Sequence, residues 1–159
     1  MGRPLSYRAL SLWHDTAGED WTPRPALSGG TEADVAVVGA GFTGLWTAYY
    51  LKQAQPDLEV AVVEKEFAGY GASGRNGGWL TNSVTGGRQQ YVETFGRDAA
   101  GRMQSALNDT VAEVIRVATR EGIDADIVTG GEFVLAQNPA QQARLAEWAV
   151  DEQSWSMTD

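Results

Sequence analysis

The chain has 159 residues, 43% of them hydrophobic and 21% charged, which suits one soluble globular domain with a core of its own. Its formal net charge of −9 excludes a nucleic-acid backbone as partner, because that would need clustered Lys and Arg. The absence of cysteine and the single histidine exclude disulfides, thiolate chemistry and a Cys- or His-clustered centre, so no metal site is expected.

Residues 1–32 read as an arm. Pro4, Pro23, Pro25 and Ser28-Gly29-Gly30 discourage regular structure, while Trp13 and Trp21 suggest that the arm packs against something. His14 sits in this polar arm and is expected at the surface. Met1-Gly2 with Ser6 fits a myristoylation pattern loosely and is read as chance. No basic region precedes an apolar core, and no apolar stretch approaches the length of a membrane span; the expected location is the cytoplasm.

From Ala33 the character changes. Asp34-Val35-Ala36-Val37-Val38 is rich in β-branched residues and predicts a strand buried on both faces. It runs into Gly39-Ala40-Gly41-Phe42-Thr43-Gly44. Beyond that turn, Leu45, Ala48, Tyr49 and Lys52 fall at helical spacing, with Trp46 beside them, and the helix should stop before Pro56-Asp57. Leu58 to Glu64 then predicts a second buried strand. Strand, glycine turn, helix and strand make a βαβ unit, for which a right-handed crossover is expected.

Residues 65 to about 88 form a long glycine-rich connection, and structureless connections of this length are usually functional. A helix is predicted from about Tyr91 or Asp98 to Glu121. Met103, Leu107, Val111, Val114, Ile115 and Ala118 lie on one of its faces, and Gly122 is placed to cap its end. Asp126-Ile127-Val128, a Gly130-Gly131 break and Glu132 to Ala136 predict a strand pair or one bent strand. Asn138-Pro139 offers an N-cap and a first-turn proline for a last helix through Leu145 and Trp148.

The G-x-G-x-x-G turn is informative because of its setting, after a strand, at the start of a helix and inside a βαβ unit. Gly39 permits the tight turn, Gly41 lets backbone approach a pyrophosphate, and Gly44 lets the helix pack closely on the strand. The helix N-terminus, with Phe42 and Thr43, presents N–H groups and a positive dipole end to phosphate oxygens. Glu64 ends the second strand and can accept hydrogen bonds from ribose hydroxyls, which disfavours a 2′-phosphate. These features specify an adenine dinucleotide without choosing between NAD and FAD. The following Gly69-Tyr70-Gly71-Ala72-Ser73-Gly74-Arg75-Asn76-Gly77-Gly78 concentrates small donors (Ser73, Asn76) and a fixed cation (Arg75), and could wrap an extended anion with its amides. A flexible surface loop is the competing explanation.

Together, Ala33 to Glu64, Lys65-Glu66 and the Gly71-to-Gly78 run resemble the N-terminus of FAD-dependent oxidoreductases of the D-amino-acid oxidase superfamily. Within that superfamily, the leader ending in Ala33-Asp34-Val35 and the Gly-Phe-Thr-Gly-Leu turn fit the branch described as gamma-glutamylputrescine oxidase-like or glycine/D-amino-acid oxidase-like. The resemblance implies an α/β fold: an FAD/NAD(P)-binding Rossmann-like βαβ unit followed by the start of an α+β substrate domain. The expected partition is an arm over 1–32, the N-terminal part of an FAD-binding domain over 33–125, and the beginning of a truncated substrate domain over 126–159. By resemblance, Gly39, Gly41, Phe42, Thr43 and Gly44 would hold the FAD pyrophosphate, Glu64 the adenosine ribose, and Lys65 would lie near the adenosine. Gly71, Ala72, Ser73, Arg75, Asn76, Gly77 and Gly78 would run along the pyrophosphate and ribityl chain, with Ser73 and Arg75 on the phosphate side and Asn76 and Gly77 nearer the flavin. The implied activity is oxidation of a small amine or amino acid by hydride transfer to flavin. The groups that bind such substrates in the family lie mostly beyond residue 159, so no catalytic residue is assigned; Asp124, Asp126 and Glu132 are read as solvated carboxylates. Two alternatives stand beside this: a fragment of an NAD-dependent dehydrogenase, opposed by the long loop after Glu64, and a truncated remnant without turnover.

Overall fold

The arm is more ordered than its prolines suggest. A 3₁₀ turn (Tyr7–Leu10) leads into a short helix, α1 (Leu12–Thr16), capped by Ser11, whose Oγ accepts from the His14 N–H at 3.3 Å. Five residues do not hold a helix alone. The aromatic contacts of His14 hold this one: its ring lies 4.9 Å from that of Trp21 and 5.3 Å from that of Phe67. The surface position expected for His14 is therefore wrong; the residue is 2% exposed, because Phe67, distant in sequence, closes over it. The computed structural model describes residues 7–155, so Pro4 and the Met1-Gly2/Ser6 pattern lie outside the described residues.

Two strands follow, β1 (Val35–Val38) and β2 (Val60–Val63), paired in parallel with Val35 opposite Val60 and Val38 opposite Val63. Between them runs α2 (Phe42–Ala54), which ends before Pro56 as its sequence requires and packs on both strands. The βαβ unit is thus present. The expectation that its strands are buried on both faces fails: Val38 is 85% and Val62 38% exposed. One helix covers one face of a two-stranded sheet, and among the described residues the sheet has no third strand.

The arm and the βαβ unit belong to one compact unit, Met1–Trp79; the remainder, Leu80–Asp159, forms a second. The second is helical. Of the two starts predicted for the long helix, Asp98 is the one observed, as α4 (Arg97–Arg120); Tyr91 lies in a separate helix, α3 (Arg88–Phe95), because Gly96 between them takes φ +83°, which no helix accommodates. The predicted face of α4 is its sheltered one, with Met103, Leu107, Val111, Val114 and Ile115 half-buried and Ala118 buried. Gly122 at φ +65° ends α4: the Ile123 N–H reaches the Ala118 carbonyl at 2.9 Å and the Gly122 N–H the Thr119 carbonyl at 3.3 Å, the paired bonds of a Schellman cap. α5 (Pro139–Ser154) starts as predicted, with the Asn138 side chain accepting from the Gln141 N–H at 2.9 Å. Its end is held by Arg88, which ion-pairs with Asp151 and Glu152, and by Trp155, whose ring lies 4.0 Å from the Arg97 guanidinium. The strand pair expected over 126–136 is not formed. Asp126 takes φ +48°, which breaks the extended run, and among the described residues no ladder links this segment to a strand.

Candidate dinucleotide site

Because β1 and β2 run parallel, their C-terminal ends share one edge, and both halves of the expected motif leave the sheet there. The ladder continues one residue past β1, with the Gly39 N–H donating to the Val63 carbonyl at 2.8 Å. Gly39 then turns the chain at φ +97°. Gly44 packs α2 onto the turn so tightly that a Cβ would lie 2.0 Å from the Gly39 oxygen and 3.2 Å from Val37 Cγ1. The role assigned to it from sequence, close approach of helix and strand, is what the geometry demands.

Glu64 and Ala40 join the two halves. The Ala40 N–H donates to Glu64 Oε2 at 2.8 Å, and the Glu66 N–H to Oε1 at 3.1 Å. These donors stabilise the ionised carboxylate and hold its pKa below the ordinary glutamate value, with Ala40 the largest cause. The Ala40 carbonyl in turn accepts from the Gly69 N–H at 2.9 Å, so one buried alanine ties the glycine turn to both Glu64 and the loop beyond it.

The loop folds back over the start of α2. Gly71 precedes a 3₁₀ turn (Ala72–Gly74), which places Ser73 so that its Oγ accepts from the Phe42 N–H, the first donor of α2, at 2.9 Å. A Cβ on Gly41 would come within 3.0 Å of the same hydroxyl. Gly41, Phe42 and Ser73, widely separated in sequence, therefore meet at one helix N-terminus, with Thr43 next in the helix. Arg75 braces the loop: its Nε donates to the Gly71 carbonyl at 3.3 Å, and its guanidinium lies over the Tyr70 ring at 5.2 Å. Asn76 donates to the Ser73 carbonyl at 2.8 Å and accepts from the Gly78 N–H at 2.7 Å, while Gly77 lies against Trp79. The Lys65 side chain is 91% exposed, 3.9 Å from the Glu66 carboxylate.

Three arm residues touch this loop; of these, Trp13 is expected from sequence to pack against something, whereas Tyr7 and Ser11 are not singled out by it. Ser11 Oγ donates to the Gly74 carbonyl at 2.8 Å, Trp13 Nε1 to the Asn76 carbonyl at 2.8 Å, and the Tyr7 hydroxyl to Glu66 Oε2 at 2.7 Å. The Ser11-x-x-His14 spacing of a helix cap was the available signal for one of them. An open depression of about 350 Å³ lined by Lys52, Asp57 and Glu59 lies at the opposite, N-terminal end of β2. Ligands of parallel sheets bind beyond the carboxyl ends of strands, so the motif edge is the candidate site and the depression is not. Among the described residues no group of His, Cys, Asp or Glu could hold a metal ion, and no helix is long and apolar enough to cross a membrane.

Comparison with known proteins identifies the family. The family model described as "DAO: FAD dependent oxidoreductase" matches residues 34–158. The gamma-glutamylputrescine oxidoreductase of Escherichia coli (strain K12) is 38% identical over 138 residues, 86% of this chain and 32% of that protein. The probable oxidoreductase OrdL of Haemophilus influenzae is 36% identical over 137 residues, 86% of this chain and 31% of its own length. A protein of the same name from Rhizobium meliloti is 30% identical over 118 residues, 74% of this chain and 27% of the relative. The chain thus spans about a third of the length of the curated relatives it matches. No solved structure matches it.

Proposed function

We propose that this chain, which belongs to the DAO family of FAD-dependent oxidoreductases, carries the adenosine-pyrophosphate half of the flavin site of an enzyme that oxidises amines or amino acids. The family's dependence on FAD sets aside the NAD alternative. The observation that carries the proposal is the meeting of Gly41, Phe42 and Ser73 at the N-terminus of α2, beside Glu64 at the shared strand edge.

The residues present fit an adenine dinucleotide. Gly39 and Gly41 carry no side chains at the bend that leads into a helix N-terminus, where N–H groups and the dipole favour a pyrophosphate. Ser73 Oγ accepts from Phe42, which leaves its own proton for a phosphate oxygen. Each Glu64 oxygen takes one backbone donor, and a carboxylate oxygen has a further lone pair to offer a ribose hydroxyl. Lys65, exposed next to it, would flank the adenosine. Gly71, Ala72, Ser73 and Arg75 would follow the pyrophosphate, with Asn76, Gly77 and Gly78 leading toward the flavin ring. Bound FAD supplies the hydride acceptor. Residues 33–125 would belong to the FAD-binding domain and 126–159 to the start of the substrate domain. A small amine or amino acid is the substrate class, the former in keeping with the name gamma-glutamylputrescine oxidoreductase carried by the Escherichia coli relative.

The test is the visible spectrum of the purified chain after incubation with FAD and gel filtration, against that of Gly41→Val. The parent should retain flavin absorbance. The variant should lose it, because a branched side chain at that bend strikes Ser73 and fills the phosphate's approach. Equal flavin retention in the two would contradict the proposed site.

A further inference from the structure

We propose that residues 7–21 are a clasp that sets the glycine-rich loop in its ligand-receiving shape before any ligand arrives, with Ser11 and His14 as the latch. Its effect on affinity rests on the FAD assignment above; the clasp itself does not.

Proton counting defines the latch. The Ser11 hydroxyl has one proton, and the Gly74 carbonyl 2.8 Å away can only accept, so the proton points there. The same oxygen lies 2.5 Å from His14 Nδ1 and 3.3 Å from the His14 backbone nitrogen, and both must then donate to it. His14 is accordingly protonated on Nδ1. The chain of hydrogen bonds runs from imidazole to hydroxyl to Gly74 carbonyl, and Gly74 directly follows Ser73, whose hydroxyl faces the helix N-terminus. There is no slack at Gly74: a Cβ there would lie 2.2 Å from the Gly69 oxygen and 3.3 Å from His14 Cε1. Through the Ser11 hydroxyl, the His14 ring is coupled to the loop backbone at the Gly74 carbonyl.

Two further attachments bracket the latch. Trp13 donates to the Asn76 carbonyl, and its ring sits so close to Gly78 that a Cβ there would be 2.7 Å from Cζ2. Tyr7 holds Glu66, two residues past Glu64, and its ring meets that of Phe67 edge-on at 5.1 Å. The arm thus fixes the loop at its entry, its middle and its far end. A segment this rich in glycine loses much conformational freedom on ordering, and a clasp formed during folding removes that cost from ligand binding.

His14 is the single histidine of the sequence, so its ring nitrogens in a ¹⁵N NMR spectrum of the full chain need no assignment. The expected result is a ring protonated on Nδ1. Ser11→Ala should release that tautomer and speed hydrogen exchange of amides in residues 69–78 about tenfold, the equivalent of one net hydrogen bond. Exchange in α4 should match the parent, which also shows that the variant folds. Ser11→Thr, which keeps the hydroxyl, should restore tautomer and loop protection alike. The dissociation constant for FAD should rise by a similar factor of about ten in Ser11→Ala and recover in Ser11→Thr. A parent ring protonated on Nε2 alone, or loop exchange in Ser11→Ala equal to the parent's, overturns the clasp. A parent with the Nδ1 tautomer and a protected loop but no affinity for FAD would uphold the clasp and sink the FAD assignment instead.

Discussion

Glu64 has two tasks at once, and its protonation links them. Its carboxylate accepts the Ala40 and Glu66 N–H groups, which holds the glycine turn and the loop to the end of β2, and the same ionised group is the proposed ribose acceptor. Its folded pKa lies below the ordinary value of 4.5, so on acidification the unfolded chain takes up this proton first. The stabilisation is therefore complete above the ordinary value and is lost as pH falls through the lowered one. Amide resonances of Ala40 and Glu66 should hold steady through neutral pH and titrate together, with a midpoint below 4.5. In Glu64→Gln that transition should vanish. A midpoint above the ordinary value, or the same titration in the variant, would contradict the hydrogen bonds given to this carboxylate. Glu64 was legible in sequence as the acidic end of the second strand; its grip on Ala40 was not, because that depends on the turn geometry bringing an N–H to it.

At the scale of elements, what could be read came from signals the chain carries locally. The β-branched runs marked β1 and β2, Pro56 marked the limit of α2, and Asn138-Pro139 marked the start of α5. What could not be read depended on partners. The sheet faces needed to know how many strands would pair, residues 126–136 needed an edge to join, and the burial of His14 needed Phe67. Gly96 is the local signal that decides between the two predicted starts, ending α3 before α4 begins beside Asp98. Two glycines at helix ends show how differently packing and conformation act. A methyl on Gly44 would meet the Gly39 oxygen at 2.0 Å, whereas one on Gly122 would meet nothing within 4 Å but would sit at φ +65°. Gly44→Ala must push α2 off β1, a loss of about 3 kcal/mol that should also abolish flavin retention. Gly122→Ala should cost roughly 1–2 kcal/mol for the left-handed backbone alone and leave the dinucleotide site intact. Urea unfolding of both variants checks the pair; equal losses, or a flavin defect in Gly122→Ala, would contradict these roles.

For the whole molecule, family membership comes from a match over residues 34–158, and the proposed dinucleotide site comes from geometry in the first unit. Everything that points to a dinucleotide lies between Tyr7 and Gly78: the parallel strand edge, the glycine turn, Glu64, the loop that returns Ser73 to the helix, and the arm that holds the loop. The helical second unit supplies none of these groups. That grouping gives the central claim a residue-level signature. The direct measurement is a ¹H–¹⁵N correlation spectrum of the full chain titrated with FAD. Resonances of residues 39–44, of Glu64 and of residues 71–78 should move together and saturate with one dissociation constant. A folded chain in which saturating FAD leaves residues 39–44 unmoved, or moves only resonances of the helical unit, would contradict the account.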